Sequence, residues 1–178
     1  MNVKRTQKGR SGGWIRWGVT TMALCLLVSC GIYSFTGADT GDAETFTVRQ
    51  FQNEADLIEP GIDRTFTLAL QDLIQNQTNL GLTNDGGDLV FEGEITQFYI
   101  APMTSQQDNT AAQNRLTIAI NVRFSNTLDP DKDFERQFSF YYDYPGQQQL
   151  TGSTLDSAVD EIFEHITQEV FNAALTDW

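Results

Sequence analysis

Glu92 and Glu94 stand two apart in Phe91-Glu92-Gly93-Glu94-Ile95, a spacing that puts both carboxylates on one face of a strand and supplies the parts of an acid/base pair. Carboxylates on an outward strand face also pair with cations on neighbouring strands, and Arg115 or Arg123 are the expected partners. His165 is the only histidine, and helical spacing places it one turn from Glu161 and from Glu169, which predicts a loose surface ion pair. Asp129, Asp131 and Asp133 imitate the first half of a calcium loop. Phe134 stands where that loop needs glycine and Phe140 where it needs glutamate, so the segment reads as a hairpin turn. There is no Gly-rich phosphate loop and no Gly-x-Ser-x-Gly elbow. These residues point away from an enzyme, and neither a cofactor nor a metal is expected.

Cys30 is different, because its neighbours prepare it for modification. Lys4, Arg5, Lys8, Arg10 and Arg16 form a basic segment, and Trp17 to Val28 form an apolar one. That apolar stretch falls short of the roughly 20 residues that span a bilayer, and it has the layout of a secretory signal. Leu27-Val28-Ser29-Cys30 then reads as a lipobox: the thiol takes a diacylglycerol, the chain is cut before Cys30, and the new amine takes a palmitate-type acyl group. Residues 1–29 are therefore expected to be removed as a lipoprotein signal peptide.

Cleavage changes the composition. Cys25 leaves with the signal, so the acylated Cys30 is the only cysteine of the mature chain and no thiol remains for a disulfide or a metal cage. Of the 11 basic residues, five precede Cys30, whereas all 24 acidic ones follow it, so removal takes the formal charge from −13 to −18. A chain this acidic is not a nucleic-acid binder, and charge will not draw it to an anionic membrane. Attachment falls to the acyl chains, several of which make a stable anchor where one is marginal.

The elements follow from hydrophobic period. Residues 30–44 (CGIYSFTGADTGDAE) read as the lipidated cysteine and a flexible tether, and residues 45–178 as one α/β sandwich domain. Phe46 and Val48 alternate as in a strand, and Phe51 breaks the parity as a bulge would. After Pro60-Gly61, the residues Ile62, Phe66, Ala69, Leu70, Leu73 and Ile74 trace one stripe of a helix. Asn76 to Gly87 reads as turn punctuation. Leu89, Phe91 and Ile95 alternate in a second strand. Leu116, Ile118, Ile120, Val122 and Phe124 do so in a third, the cleanest period of two in the chain. Phe134, Phe138, Phe140, Tyr142 and Tyr144 share one face of a fourth. A last helix is expected from Ser153, as an N-cap with Asp156 three residues on, through Ala174. The order β-α-β-β-β-α predicts an α+β fold: two helices packed on one face of a four-stranded, mostly antiparallel sheet.

Cys-Gly-Ile-Tyr-Ser-Phe at 30–35, Phe-Glu-Gly-Glu-Ile at 91–95, Asn-Arg-Leu-Thr-Ile at 114–118 and an amphipathic C-terminal helix ending in Trp178 resemble the LptE family of lipopolysaccharide-assembly lipoproteins. The resemblance implies a lipid-anchored protein on the periplasmic side of the cell outer membrane. It would be a plug and assembly partner of the LptD β-barrel in lipopolysaccharide transport to the outer leaflet, with no catalytic residues. Some members also contact lipopolysaccharide through basic residues; here the few cations of the mature chain point away from phosphate binding. A function from another class, a lipoprotein carrying a ligand- or peptidoglycan-binding module, would need a deep pocket or a convergent polar cluster. For the barrel partner, the expected contacts are the polar Pro102–Gln113 connection, with Thr104 and Asn109, and the polar sheet face bearing Arg115 and Arg123.

Overall fold

The computed structural model describes residues 38–57, 59–103 and 113–176. The first helix, α1, spans Ile62–Gln77, and the second, α2, spans Ser153–Leu175. α1 starts directly after Gly61, whose φ of 83° is a left-handed conformation that a residue without Cβ adopts freely. Ile62, Phe66, Leu70 and Ile74 recur every fourth residue and are all buried, as the stripe predicts. Thr67 is buried beside them: its hydroxyl donates to the Asp63 carbonyl and accepts the Phe51 amide. At α2 the expected cap is displaced by one residue. Gly152, at φ 56°, occupies the cap position and Ser153 is already helical, its carbonyl accepting the Ser157 hydroxyl.

The sheet has six strands: β1 (Thr45–Val48), β2 (Gln52–Asn53), β3 (Gly81–Leu82), β4 (Leu89–Met103), β5 (Gln113–Asn126) and β6 (Phe134–Pro145). They run in the order β3-β1-β4-β5-β6, with β2 also on β4. The expected four-stranded, mostly antiparallel sheet is thus corrected to a mixed one. β4, β5 and β6 are antiparallel, but β1 and β2 run parallel to β4, and β3 runs parallel to β1. The cause is α1: a helical crossover between neighbouring strands returns the chain in the same direction, whereas a tight turn reverses it. β3 lies inside the segment read as turns, and two residues are too few to carry a period.

β1 and β2 are one strand with an interruption. Val48 pairs with Phe91 and Gln52 with Glu94, so four steps on one strand face three on the other. The extra residue is what turns Phe51 inward after Phe46 and Val48. Gly93 makes room for it. A Cβ there would run into the Asn121 carbonyl and stand 2.8 Å from the Phe51 ring.

A second bulge lies in β4. Ile95 pairs with Ile120 but Gln97 with Ala119, leaving Thr96 extra and flipping the parity, so Phe98 is buried where continued alternation would expose it. The strands also extend further than expected: Pro102 pairs with Asn114 and Met103 with Gln113, which shortens the connection read as Pro102–Gln113. On the inner face, Leu89, Phe91, Ile95, Leu116, Ile118, Ile120 and Val122 are closed over by the two helices. Phe66 joins the layers, its ring edge-on to Phe51 at 4.9 Å and to Phe163 of α2 at 5.1 Å.

Candidate partner-docking face

Among the described residues, the opposite face of the sheet carries no helix, and its side chains follow from the register. Across β4, β5 and β6 the rows are Glu92–Arg123–Glu135, Glu94–Asn121–Gln137, Gln97–Ala119–Ser139, Tyr99–Thr117–Tyr141 and Ala101–Arg115–Asp143. Arg115 and Arg123 both lie on this face, as the period of two requires. Three of the six cations that follow Cys30, Arg49, Arg115 and Arg123, are engaged here.

None of the three is free. Arg123 Nη1 lies 2.8 Å from Glu94, its Nε 3.4 Å from Glu92, and Glu135 is 3.9 Å away. Arg49 reaches Glu92 from the other side at 2.8 Å and Asp85 at 3.6 Å. Asn121 donates to Glu94 at 2.9 Å and to Glu135 at 2.8 Å. Burial opposes ionisation of Glu94, but hydrogen bonds from Asn121 and Arg123 outweigh it and hold its carboxyl below the usual range. Arg115 does not reach either glutamate. It grips Asp143 with two parallel bonds, 2.7 and 2.8 Å, which lower the Asp143 carboxyl. The carboxylates at 92 and 94 therefore belong to one ion-pair network with shared cations.

The other sequence candidates resolve as structure. His165 has no ion pair with Glu161 or Glu169 among the described residues. Its ring lies flat on Phe140, with centroids 3.9 Å apart and planes at 17°. Phe140 in turn faces Tyr141 at 5.6 Å and 15°, and the Arg115 guanidinium covers Tyr141 at 3.6 Å. Phe140 belongs to the helix side of the sheet, where it packs against the core, and Tyr141 to the outer side. Arg136 also went unread as part of the inner face; it lies 4.4 Å over Phe138. Asp129, Asp131 and Asp133 sit around a 3-10 turn at Pro130–Lys132, where Asp133 accepts the Asn126 amide. Among the described residues, no group of three or more His, Cys, Asp and Glu is placed to hold a metal ion.

At one end of the domain the chain preceding β1 is fixed in place. The Asp39 amide donates to the Leu175 carbonyl at the end of α2 (2.6 Å), and the Asp39 carboxylate lies 3.6 Å from Lys132. Ala38 packs against the core and Ala43 is buried. Asp88 then accepts three bonds, from the amides of Glu44 and Thr45 and from the Thr45 hydroxyl, and these lower its carboxyl. A surface cavity of about 270 Å³ lies here, lined by Asp39, Asp42, Leu89, Leu128, Lys132 and Leu175 among others. Cys30, Thr104 and Asn109 lie outside the described residues.

A model of the LptE lipopolysaccharide-assembly family matches residues 43–174. Among solved structures, a protein from Xanthomonas campestris is similar at 9% identity over 75% of this chain and 84% of that one, with a TM-score of 0.50. An uncharacterized lipoprotein B from Nitrosomonas europaea is 10% identical over 79% of this chain and 86% of its own (TM-score 0.47). A lipoprotein from Neisseria meningitidis is 11% identical over 72% and 98% (TM-score 0.39). The first shares the fold; the other two are looser likenesses. No curated protein matches the chain in sequence.

Proposed function

We propose that this chain, which belongs to the LptE family of lipopolysaccharide-assembly proteins, is an outer-membrane lipoprotein anchored on the periplasmic side through acyl chains on Cys30. It acts there as plug and assembly partner of an LptD-type β-barrel that delivers lipopolysaccharide to the outer leaflet. The observation that carries this reading is the family match, which runs from the threshold of β1 to the last turn of α2. The geometry supports a docking role for the uncovered sheet face. Its charges are mutually paired and its middle rows carry Gln97, Ser139, Thr117 and the exposed Tyr99 and Tyr141, a polar, nearly charge-balanced surface suited to a polar barrel lumen. The acidic surplus lies elsewhere, as on the wet face of α2 with Asp160, Glu161 and Glu164. Phosphate groups would find Arg115 and Arg123 already engaged, so the plug role does not rest on direct lipopolysaccharide contact. Three of the surface cavities among the described residues, at about 250 to 270 Å³, fall below the usual 300–1,000 Å³ of ligand pockets, so they do not favour the ligand-binding alternative.

Photo-crosslinkers at Thr104, Asn109 and Arg123, with Glu161 and Glu164 for comparison, test the docking face. Crosslinks to a large outer-membrane barrel from the first set and not the second are expected; strong crosslinks only from α2 would reverse the face. Absence of any co-purifying barrel would defeat the partnership. Cys30→Ser should abolish fatty-acid labelling and leave uncut precursor, and undiminished label would refute the anchor.

A further inference from the structure

Besides its two outer strands, the sheet has a third open stretch, because β4 is an interior strand for only part of its length. On the side away from β5, β1 and β2 cover it as far as Ile95. The Phe91 carbonyl accepts the Arg49 amide there and the Ile95 carbonyl accepts the Glu54 amide, both at 2.9 Å. The covering chain then leaves the sheet, turned away at Asn53, whose side-chain oxygen accepts the Ala55 amide at 3.2 Å. β4 runs on to Met103, paired with β5 alone. Among the described residues, the other side of Phe98–Met103 is a bare edge, about 20 Å long at strand rise.

The backbone groups on that edge follow from side-chain direction. In a strand, residues that share a face also turn their amides and carbonyls to the same edge. Phe91 and Ile95 face the helices and bond toward β1 and β2. Beyond the Thr96 bulge it is Phe98, Ile100 and Pro102 that share the helix side, so their backbone groups turn to the bare edge. Pro102 agrees with this placement: having no N–H, it stands where the ladder to β5 requires none. The edge thus offers the amides and carbonyls of Phe98 and Ile100 and the carbonyl of Pro102.

The side chains beside it are apolar. Ile100 on one face, and Tyr99 and Met103 on the other, are all exposed, and no charged residue lies between Ile95 and Met103. Open edges are commonly guarded by charge, bulges or proline. Here the bulge at Thr96 and the proline at 102 bracket the stretch and leave its middle unguarded. Amides and carbonyls at strand spacing are matched by another extended chain. A second copy fits poorly. Antiparallel self-pairing centred on Ile100 sets Pro102 of each copy opposite Phe98 of the other, so both Phe98 carbonyls lack a donor, and the charge of −18 expected after cleavage opposes the approach.

We propose that the Phe98–Pro102 edge of β4 binds an extended, uncharged segment of the barrel partner, which joins the sheet in line with β1 and β2. Apolar side chains at alternate positions of that segment would lie against Ile100 on one face and against Tyr99 and Met103 on the other. The inference deepens the docking role proposed above and rests on that partnership.

The test compares variants of the full acylated protein, expressed with the barrel and recovered through a tag on the barrel. Ile100→Pro removes an N–H from the bare edge and breaks no bond to β5, and Tyr99 before it is already extended, as proline requires. Ile100→Ala loses the same side chain but keeps the N–H. The proline variant should be recovered with the barrel severalfold less than the alanine variant; equal recovery overturns the edge pairing. Amide hydrogen exchange of the parent, free and barrel-bound, gives a reading independent of how the variants fold. Tyr99 and Ala101 already bond to β5, so Phe98 and Ile100 are the amides expected to slow in the complex. Unchanged exchange over residues 97–103 overturns the proposal while a barrel-bound parent keeps the partnership. Failure of the parent to bring down any barrel overturns both. Sedimentation of the parent as a dimer that Ile100→Pro dissociates would give the edge to a second copy and overturn the proposed occupant.

Discussion

Ile118 and Thr117 are neighbours with opposite fates, and they give the sharpest test at the scale of single residues. Ile118 is fully buried between sheet and helices, while Thr117 lies on the uncovered face. Ile118→Asp places an unpaired carboxylate in an apolar layer, a cost of several kcal/mol set against a typical domain stability of about 5–15 kcal/mol. Thr117→Asp leaves its charge in water. Urea melts should show the first unfolded or strongly shifted and the second close to the parent; equal losses would mean that the strand faces are misassigned. Carboxylates that are bound in the fold carry a pH dependence of definite sign. Asp88 is lowered by the amides of Glu44 and Thr45 and by the Thr45 hydroxyl, and Asp143 by Arg115. A lowered folded value means that the charged form is the one the fold holds. Its contribution is complete above the unfolded carboxylate range near pH 4, and it is lost as pH falls through the lower folded values. Stability should therefore fall with acid below about pH 4. Asp88→Asn should weaken the protein at pH 7 and flatten part of that acid limb in denaturant titrations.

At the scale of elements, the parts legible in the sequence were those whose period is long and unbroken. β5 alternates over its whole buried length, so its faces, and with them the positions of Arg115 and Arg123, could be assigned from residue types alone. Ile62, Phe66, Leu70 and Ile74 did the same for α1. What stayed hidden has specific causes. β4 changes parity at Thr96, so alternation counted from Leu89 fails beyond Ile95. Gln52–Asn53 and Gly81–Leu82 are too short for any pattern, and their direction is set by α1, not by their own residues. The Arg115–Asp143 pair depends on the β5–β6 register, which no local signal announces, and the clamp at Asp39 joins residues at opposite ends of the chain. Thr67 is a polar residue inside an apolar stripe, and its role appears only with the fold: it satisfies the Phe51 amide at the interruption of the first strand. Thr67→Val keeps the shape and orphans that buried donor, an expected loss of about 1–3 kcal/mol. Thr67→Ser, which keeps the hydroxyl, should retain most of the stability in the same melts.

At the scale of the whole molecule, the charge of −18 expected after cleavage repels other copies at close approach, but at physiological salt that repulsion is screened beyond roughly 8 Å. Surface chemistry must then decide whether two copies stick, and an open sheet is the usual point of failure. One border, β3, offers two residues. The other is β6, twelve residues long and rich in Phe and Tyr, the composition from which runaway strand pairing is built. In the middle of that border Phe140 packs inward against the core and on His165, while Tyr141, 45% exposed, lies under the Arg115 guanidinium. Arg115→Ala uncovers the Tyr141 ring and leaves the core rows in place, and light scattering should then report association that grows with concentration. A variant that stays monomeric would assign the shielding elsewhere. A chain with an open border of this length is exposed to its own kind, and the side chains stacked along it decide whether copies stay apart.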